Sequence, residues 1–156
     1  KDIKMKFSTG ELNEPIFIKP YDNHKIFTGH VVKEFKDLLK TVHINDDEKI
    51  VTSDVVDFKS EYRIFVTNGN IVGMSHYCGD PLLFPNKFII KSLIKTAYET
   101  YNLAGFSVDV GITSNNQTLL VECNDAFSLG CYGLNYLLYT SLVEERWNQA
   151  LNKGNL

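Results

Sequence analysis

The segment FSVDVGITSNNQTLLVECND, residues 106–125, decides the fold that we predict for this chain. Apolar and polar residues alternate in both halves of the segment, which is typical of strands that bury one face. Ser114-Asn115-Asn116 supplies turn residues between them. The pattern therefore predicts a hairpin of two strands, Gly105–Thr113 and Gln117–Cys123.

Alternation also predicts where the polar side chains of this hairpin point. Asp109 points away from the face shared by Val108 and Val110, and Glu122 and Asn124 share one face of the second strand. If the strands pair, three oxygen-bearing side chains meet on one side of the sheet. Carboxylate and amide oxygens are the ligands that Mg²⁺ prefers. The alternative interpretation is a solvated face that holds no ion.

A second hairpin is predicted upstream, with strands Glu61–Thr67 and Asn70–Tyr77. Asn68-Gly69 between them is a strong hairpin signal, because both turn positions need a positive φ. Arg63 lies within the first strand and shares its face with Glu61. A guanidinium in an apolar strand needs an anionic partner, which is either Glu61 or a phosphate or carboxylate of a ligand.

The remaining segments place single helices between these strands. Apolar spacing predicts strands at Glu14–Pro20 and Lys49–Ser53 and helices at Val31–Val42, Asn86–Asn102 and Leu134–Leu151. Antiparallel hairpins separated by single helices are typical of the α+β class.

Two lysines near the N-terminus are candidate phosphate ligands. Lys19 lies at the end of a strand, and Lys25 lies in the polar loop Tyr21–Gly29 that follows. A lysine beside such a loop can hold phosphate oxygens as a point charge. The alternative is two solvated lysines. His76, which ends a strand near Arg63, is a candidate acid, base or substrate contact, or a hydrogen-bonded structural histidine.

Composition limits the classes of function. The 156 residues suffice for one domain or two small lobes, and 44% of them are apolar. A net charge of −3 disfavours non-specific binding to nucleic acid. No apolar run reaches the roughly 20 residues of a membrane helix. Three cysteines favour a reduced, cytoplasmic compartment over a disulfide framework, and Cys123 is expected in the core.

Taken in order, these segments resemble the ATP-grasp family over about Pro15 to Leu138. The segments that carry the resemblance are IFIKP with its loop to FTG (16–29), IVTSDVVDF (50–58), EYRIFVTNGNIVGMSH (61–76), FSVDVGI (106–112) and TLLVECND (118–125). The combination of Lys19, Lys25 and Arg63 most resembles a bacterial and phage clade named for one arginine and two lysines.

The resemblance implies an ATP-grasp-like α+β fold over residues 1–156. Two small lobes of antiparallel sheet plus helices, about 15–53 and about 54–156, would have a nucleotide cleft between them. The family normally has a preceding N-terminal domain, which we expect to be absent from this chain.

The resemblance also implies roles for particular residues. Arg63 and Lys25 would be catalytic. The nucleotide would be held by Lys19, Lys25, Thr52, Ser53, Asp54, Val55 and, at the ribose, Asp57. Mg²⁺ or Mn²⁺ would be held by Asp109, Glu122 and Asn124. His76, Ser128 and Tyr132 would face the substrate.

The implied activity is ATP-dependent ligation of a carboxylate to an amine through an acyl-phosphate. The acceptor would be a peptide terminus, a side chain or a small metabolite, with neither nucleic acid nor membrane as a partner. A catalytically silent nucleotide-binding or partner-binding module is one alternative. A metal-dependent nuclease is another, although Asn124 stands where such an enzyme usually has a lysine.

Overall fold

Each of the two sheets lies in its own compact unit of the chain. The computed structural model describes residues 2–21 and 26–152, and these divide into one unit up to Val56 and another from Asp57. The first contains α1 (Asp2–Ser8), β1 (Ile16–Pro20), β2 (His30–Val32), a 3₁₀ helix (Phe35–Thr41) and β3 (Ile50–Asp54). The second contains β4 (Phe58–Thr67), β5 (Asn70–Gly79), α2 (Lys87–Tyr101), β6 (Gly105–Thr113), β7 (Thr118–Asp125), a 3₁₀ helix (Ala126–Ser128) and α3 (Tyr136–Asn152).

Strand β1 is the centre of the N-terminal sheet. The strand order is β2-β1-β3 and both pairs are antiparallel. Ile18 of β1 is buried with Phe27, and Ile3 and Phe7 of α1 pack against the same cluster. Burial of these apolar side chains stabilises the unit and leaves Lys19, the next residue of β1, on the other face.

The helix predicted over Val31–Val42 is wrong. Val31 and Val32 pair with Phe17 and Ile16 of β1, because β-branched side chains suit a strand. A short 3₁₀ helix then begins at Phe35, after Asp37 accepts hydrogen bonds from the backbone N–H groups of residues 33 and 34. Apolar spacing alone did not reveal this change from strand to 3₁₀ helix.

The C-terminal sheet has the strand order β5-β4-β6-β7, and every neighbouring pair is antiparallel. The predicted turn between β4 and β5 is confirmed: Asn68 has a φ of 49° and Gly69 a φ of 76°. Together with the N-terminal sheet and the helices, this arrangement confirms the predicted α+β class. None of the helices in residues 2–21 and 26–152 is long and apolar enough to cross a membrane.

Helix α2 begins and ends at asparagines, as the sequence predicts. The Asn86 side chain accepts hydrogen bonds from the backbone N–H groups of Phe88 and Ile89, which lack partners within the helix. Asn102 ends the helix with a left-handed φ of 48°. The predicted closing helix is confirmed as α3.

The two faces of this sheet pack against different helices. One face and α2 share an apolar cluster formed by Tyr62, Ile64, Val66, Ile90, Ile94, Ala97, Phe106, Val108, Val110 and Ile112. On the other face, a smaller cluster contains Phe65, Ala126, Leu129 and Leu142. Arg146 of α3 donates hydrogen bonds of 2.8 and 2.7 Å to both oxygens of Asp125, which ties the helix to the end of β7.

Two register shifts interrupt the alternation. Asp109 pairs with Glu122, but Val110 pairs with Leu120, so Val121 is an extra residue in β7. Tyr77 is likewise extra in β5, between His76 and Cys78. Cys123 lies on the edge strand β7 and is exposed, so its predicted place in the core is wrong.

We expect Leu142→Ala to lower the free energy of unfolding by about 3 kcal/mol, because it leaves a cavity under α3. Leu142 is fully buried, whereas Leu137 on the same helix is 66% exposed. Leu137→Ala is therefore the matched control and should change stability little. Urea unfolding followed by circular dichroism measures both, and equal losses would contradict the assigned packing of α3.

Candidate functional site

Three charged side chains form a row across the C-terminal sheet. Arg63 of β4 is the cross-strand partner of Asp109 in β6, and Asp109 is the partner of Glu122 in β7. Directly paired residues of an antiparallel sheet lie on the same face. The structure therefore brings together the predicted catalytic arginine and two of the predicted metal ligands.

Arg63 and Asp109 form a buried, two-pronged ion pair. Arg63 Nε donates to Asp109 Oδ1 at 2.8 Å, and Nη2 donates to Oδ2 at 2.7 Å. The residues are 6% and 2% exposed. Such paired, charge-assisted bonds hold the guanidinium plane in one orientation. The sequence predicted Glu61 or a ligand as the partner of Arg63, but the partner here is Asp109.

Glu122 and Asn124 extend the row along β7. Glu122 Oε1 lies 3.6 Å from Arg63 Nη2 and accepts a 2.8 Å hydrogen bond from Asn124 Nδ2. Their spacing of two residues puts both on the Asp109 side of the strand, as alternation predicts. The Glu122 side chain is 50% exposed, so this end of the row is open to solvent.

Acidic groups outnumber the guanidinium in this cluster. Burial raises the pKa of Asp109 above its ordinary value; Arg63 opposes this rise, while the negative charges of Glu122 and Glu61 add to it. Burial lowers the pKa of Arg63, but the hydrogen bonds and charge of Asp109 outweigh that effect and raise it overall. The excess of carboxylate charge favours binding of a cation.

The donor set fits a magnesium ion. In the described ranges, no group of three His, Cys, Asp or Glu side chains is placed to hold a metal ion, so the amide oxygen of Asn124 must complete the set. Each oxygen of Asp109 accepts a bond from Arg63 and keeps a second lone pair. Two carboxylates and one amide suit Mg²⁺, which usually keeps several water ligands.

Tyrosine rings cover the arginine. The Tyr132 ring centroid lies 4.2 Å from Arg63 Cζ, and the Tyr77 ring meets Tyr132 edge to face with centroids 5.5 Å apart. Tyr77 also donates a 2.8 Å hydrogen bond to Glu61, and burial together with this bond raises the pKa of Tyr77. The sequence pattern did not indicate Tyr77, because simple alternation does not reveal the register shift that frees it from strand pairing.

The other predicted substrate residues lie apart from this cluster. His76 is paired with Tyr62, and the two rings meet edge to face at 5.0 Å. Tyr62 belongs to the cluster around α2, so His76 lies on the face opposite Arg63. Ser128 is exposed at the end of a 3₁₀ helix. Their substrate roles stay predictions.

The predicted phosphate ligands belong to the N-terminal unit. Lys19 is half-buried on β1 and forms no ion pair within residues 2–21 and 26–152. Gly29 packs so closely on β1 that an added Cβ would lie 3.3 Å from the Lys19 Cβ. Lys25 lies outside the described residues.

The predicted hinge residues are exposed. Thr52, Ser53 and Asp54 end β3, an edge strand of the N-terminal sheet, and Val55 follows them. Asp57, the predicted ribose ligand, is exposed and forms an ion pair with Lys59.

The sequence matches one protein-family model over most of its length. The model describes an ATP-grasp domain, the second family of the clade named for one arginine and two lysines, and it matches residues 3–142. No curated protein matches the sequence.

The fold is similar to that of solved ATP-grasp structures at low sequence identity. N5-carboxyaminoimidazole synthetase from Staphylococcus aureus, complexed with ADP, has a TM-score of 0.65 at 16% identity, and the match covers 94% of this chain and 44% of the synthetase. A RimK domain ATP-grasp protein from Sphaerobacter thermophilus has a TM-score of 0.60 at 12% identity, covering 91% and 56%. The macrocyclase MdnC from Microcystis aeruginosa, bound with its precursor peptide MdnA, has a TM-score of 0.57 at 15% identity, covering 94% and 51%. This chain therefore spans about half the length of these structures.

We expect Arg63→Met to lower the free energy of unfolding by about 3–5 kcal/mol, because it leaves Asp109 buried without its partner. The double variant Arg63→Met/Asp109→Leu should lose much less than the two single losses combined. A double-mutant cycle by urea unfolding measures this coupling.

The matched control is the exposed pair of Lys95 and Glu99, which are 3.9 Å apart on α2. Its coupling should be below about 0.5 kcal/mol. Equal coupling at the buried and exposed pairs would contradict the importance of the buried one.

Proposed function

This chain belongs to the ATP-grasp domain family, within the clade named for one arginine and two lysines, and we propose that it binds ATP with a divalent cation and supplies the catalytic part of a carboxylate-amine ligase. The observation that carries the proposal is the row of Arg63, Asp109 and Glu122 on one face of the sheet. Anionic phosphates need cationic groups near them, and a bound divalent cation needs oxygen ligands. The residues of the row supply both kinds of group.

Lys19 and Lys25 would hold the phosphates, with Lys19 at the α- and β-phosphates and Lys25 near the γ-phosphate. Lys19 suits this role because it is half-buried and has no ion-pair partner in the described part of the chain. The close packing of Gly29 on β1 places the end of the loop against this lysine. A phosphate oxygen would supply the missing negative partner.

The segment from Thr52 to Val55 would contact the adenine through its backbone, and Asp57 would bind the ribose hydroxyl groups. The segment is exposed, and β3 pairs only with β1 among the described strands, so its outer edge offers backbone donors and acceptors. Exposed backbone of this kind suits recognition of the adenine edge.

Asp109, Glu122 and Asn124 would hold Mg²⁺ or Mn²⁺. A bound divalent cation neutralises negative charge on the phosphates during transfer. Arg63, held in one orientation by Asp109, would stabilise the charge of the transferring phosphoryl group.

The proposed reaction has two steps. A carboxylate oxygen of the acceptor attacks the γ-phosphorus of ATP, the bond to the β-phosphate oxygen breaks, and ADP leaves. The amine nitrogen then attacks the acyl carbon, inorganic phosphate leaves, and the amine proton passes to solvent. Orientation of the reacting groups and neutralisation of charge would provide most of the catalysis.

A peptide is one candidate acceptor. The macrocyclase MdnC, whose fold is similar, is bound with its precursor peptide. Exposed Ser128 and Tyr132 follow β7 and are the candidate contacts for an acceptor on this side of the cluster. ATP binding without ADP release across a panel of acids and amines would favour a catalytically silent binding module instead.

We expect Lys19→Gln to weaken binding of AMPPNP with Mg²⁺ by about 10- to 100-fold, because a charge-assisted contact to phosphate is lost. Isothermal titration calorimetry measures the affinity. Lys40→Gln, an exposed lysine in the same unit, is the control and should bind like the wild type. Equal affinity of all three proteins would contradict the role of Lys19.

We expect Glu122→Gln to reduce the gain in nucleotide affinity that Mg²⁺ provides, because one anionic ligand becomes neutral. Titrations of AMPPNP with and without Mg²⁺ measure this gain. Glu144→Gln, an exposed glutamate on α3, is the control and should keep the full gain. A Glu122→Gln protein with an unchanged Mg²⁺ effect would remove Glu122 from the ligand set.

A further inference from the structure

The segment 129–134, which we call the tyrosine strap, lies over Arg63 and is anchored at both ends. Leu129 is 6% exposed and packs with Phe65 and Leu142. Leu134 packs against Gly73, where an added Cβ would lie only 2.3 Å from the Leu134 Cδ1. The anchors hold the strap on the sheet, while its middle residues, including Tyr132, are exposed.

The backbone of the strap is strained at Tyr132. Tyr132 has a φ of 45° and Gly133 a φ of 82°. The left-handed region suits glycine but is unfavourable for a residue with a side chain. An added Cβ at Gly130 would lie 2.8 Å from the Tyr132 ring, so this ring packs directly against the strap backbone. Contacts of the ring must compensate for the unfavourable backbone conformation.

The ring of Tyr132 makes two such contacts on the sheet. It stacks on the Arg63 guanidinium at 4.2 Å, and Tyr77 meets it edge to face at 5.5 Å. Tyr77 is itself held by its hydrogen bond to Glu61. Asp109 therefore fixes Arg63 within the guanidinium plane, and Tyr132 restrains it from above that plane.

We propose that Tyr132 is a positioning residue that keeps the Arg63 guanidinium stacked, oriented and shielded from solvent. The aromatic face attracts the delocalised cation, and it adds no charge that would compete with Asp109. Only the consequence for phosphate chemistry rests on the proposed function, because the stacking concerns Arg63 itself.

The chain offers an internal reference for this inference, since Arg63 and Arg146 are its two arginines. Each donates through Nε and Nη2 to both oxygens of one aspartate at 2.8 and 2.7 Å. The structure gives a stacked aromatic ring for Arg63 alone among the described pairs of cation and ring that involve arginine. A difference in behaviour between the two arginines therefore reports on the ring.

Chemical modification by phenylglyoxal, followed by mass spectrometry, tests the proposal through the ratio of the Arg63 rate to the Arg146 rate. Tyr132→Phe keeps the ring and should keep the wild-type ratio. Tyr132→Leu keeps apolar bulk but removes the aromatic face, and the ratio should rise about 5- to 30-fold. Tyr132→Gly also removes the left-handed strain, so it serves as a second variant that is safe for folding and should show a similar rise.

The proposal is overturned if the Leu and Gly variants keep the wild-type ratio, or if the Phe variant rises as much as they do. A second measurement is the Arg63 Nε–H signal in a ¹H–¹⁵N spectrum, which the ring current should shift in the wild type and the Phe variant but not in the Leu variant. Failure of AMPPNP with Mg²⁺ to slow modification of Arg63 in any of these proteins would count against the proposed function and not against the stacking.

Discussion

The structure of the C-terminal unit depends on the buried ion pair between Arg63 and Asp109. Both side chains are almost wholly removed from solvent, and an isolated charge in such a place would be strongly unfavourable. The pair is tolerated because two short hydrogen bonds join it and because the two residues face each other on neighbouring strands. A shift of β4 by one residue would turn Arg63 into the apolar cluster around α2, so the charges strongly specify the register.

This register also determines the chemistry of the sheet. With Asp109 fixed opposite Arg63, its partner on β7 is Glu122, and Asn124 follows on the same side. The face toward α2 is apolar throughout its cluster, whereas the other face changes from apolar packing at Phe65 and Leu142 to charge at Arg63. One sheet thus combines a stable core with a cluster whose surplus of carboxylates suits a bound cation.

Much of the fold was predictable because local signals were strong. Asn68-Gly69 indicates a hairpin without help from tertiary contacts, and Asn86 and Asn102 mark the ends of α2 by their capping chemistry. The helix predicted at Val31–Val42 failed because its apolar spacing suits more than one local structure. There, pairing of Val31 and Val32 with β1 overrode the helical pattern. The resemblance to the ATP-grasp family agreed with the later match to its family model.

By itself, the sequence determined the order of strands and helices and the side of β6 and β7 on which Asp109, Glu122 and Asn124 lie, because strand alternation is a local property. Only the tertiary structure decided that Asp109 is the partner of Arg63, that Tyr77 and Tyr132 cover the guanidinium, and that His76 faces away from it. These contacts join residues far apart in the chain and depend on register shifts at Tyr77 and Val121. Such shifts follow from the packing of whole strands, which no short stretch of sequence encodes.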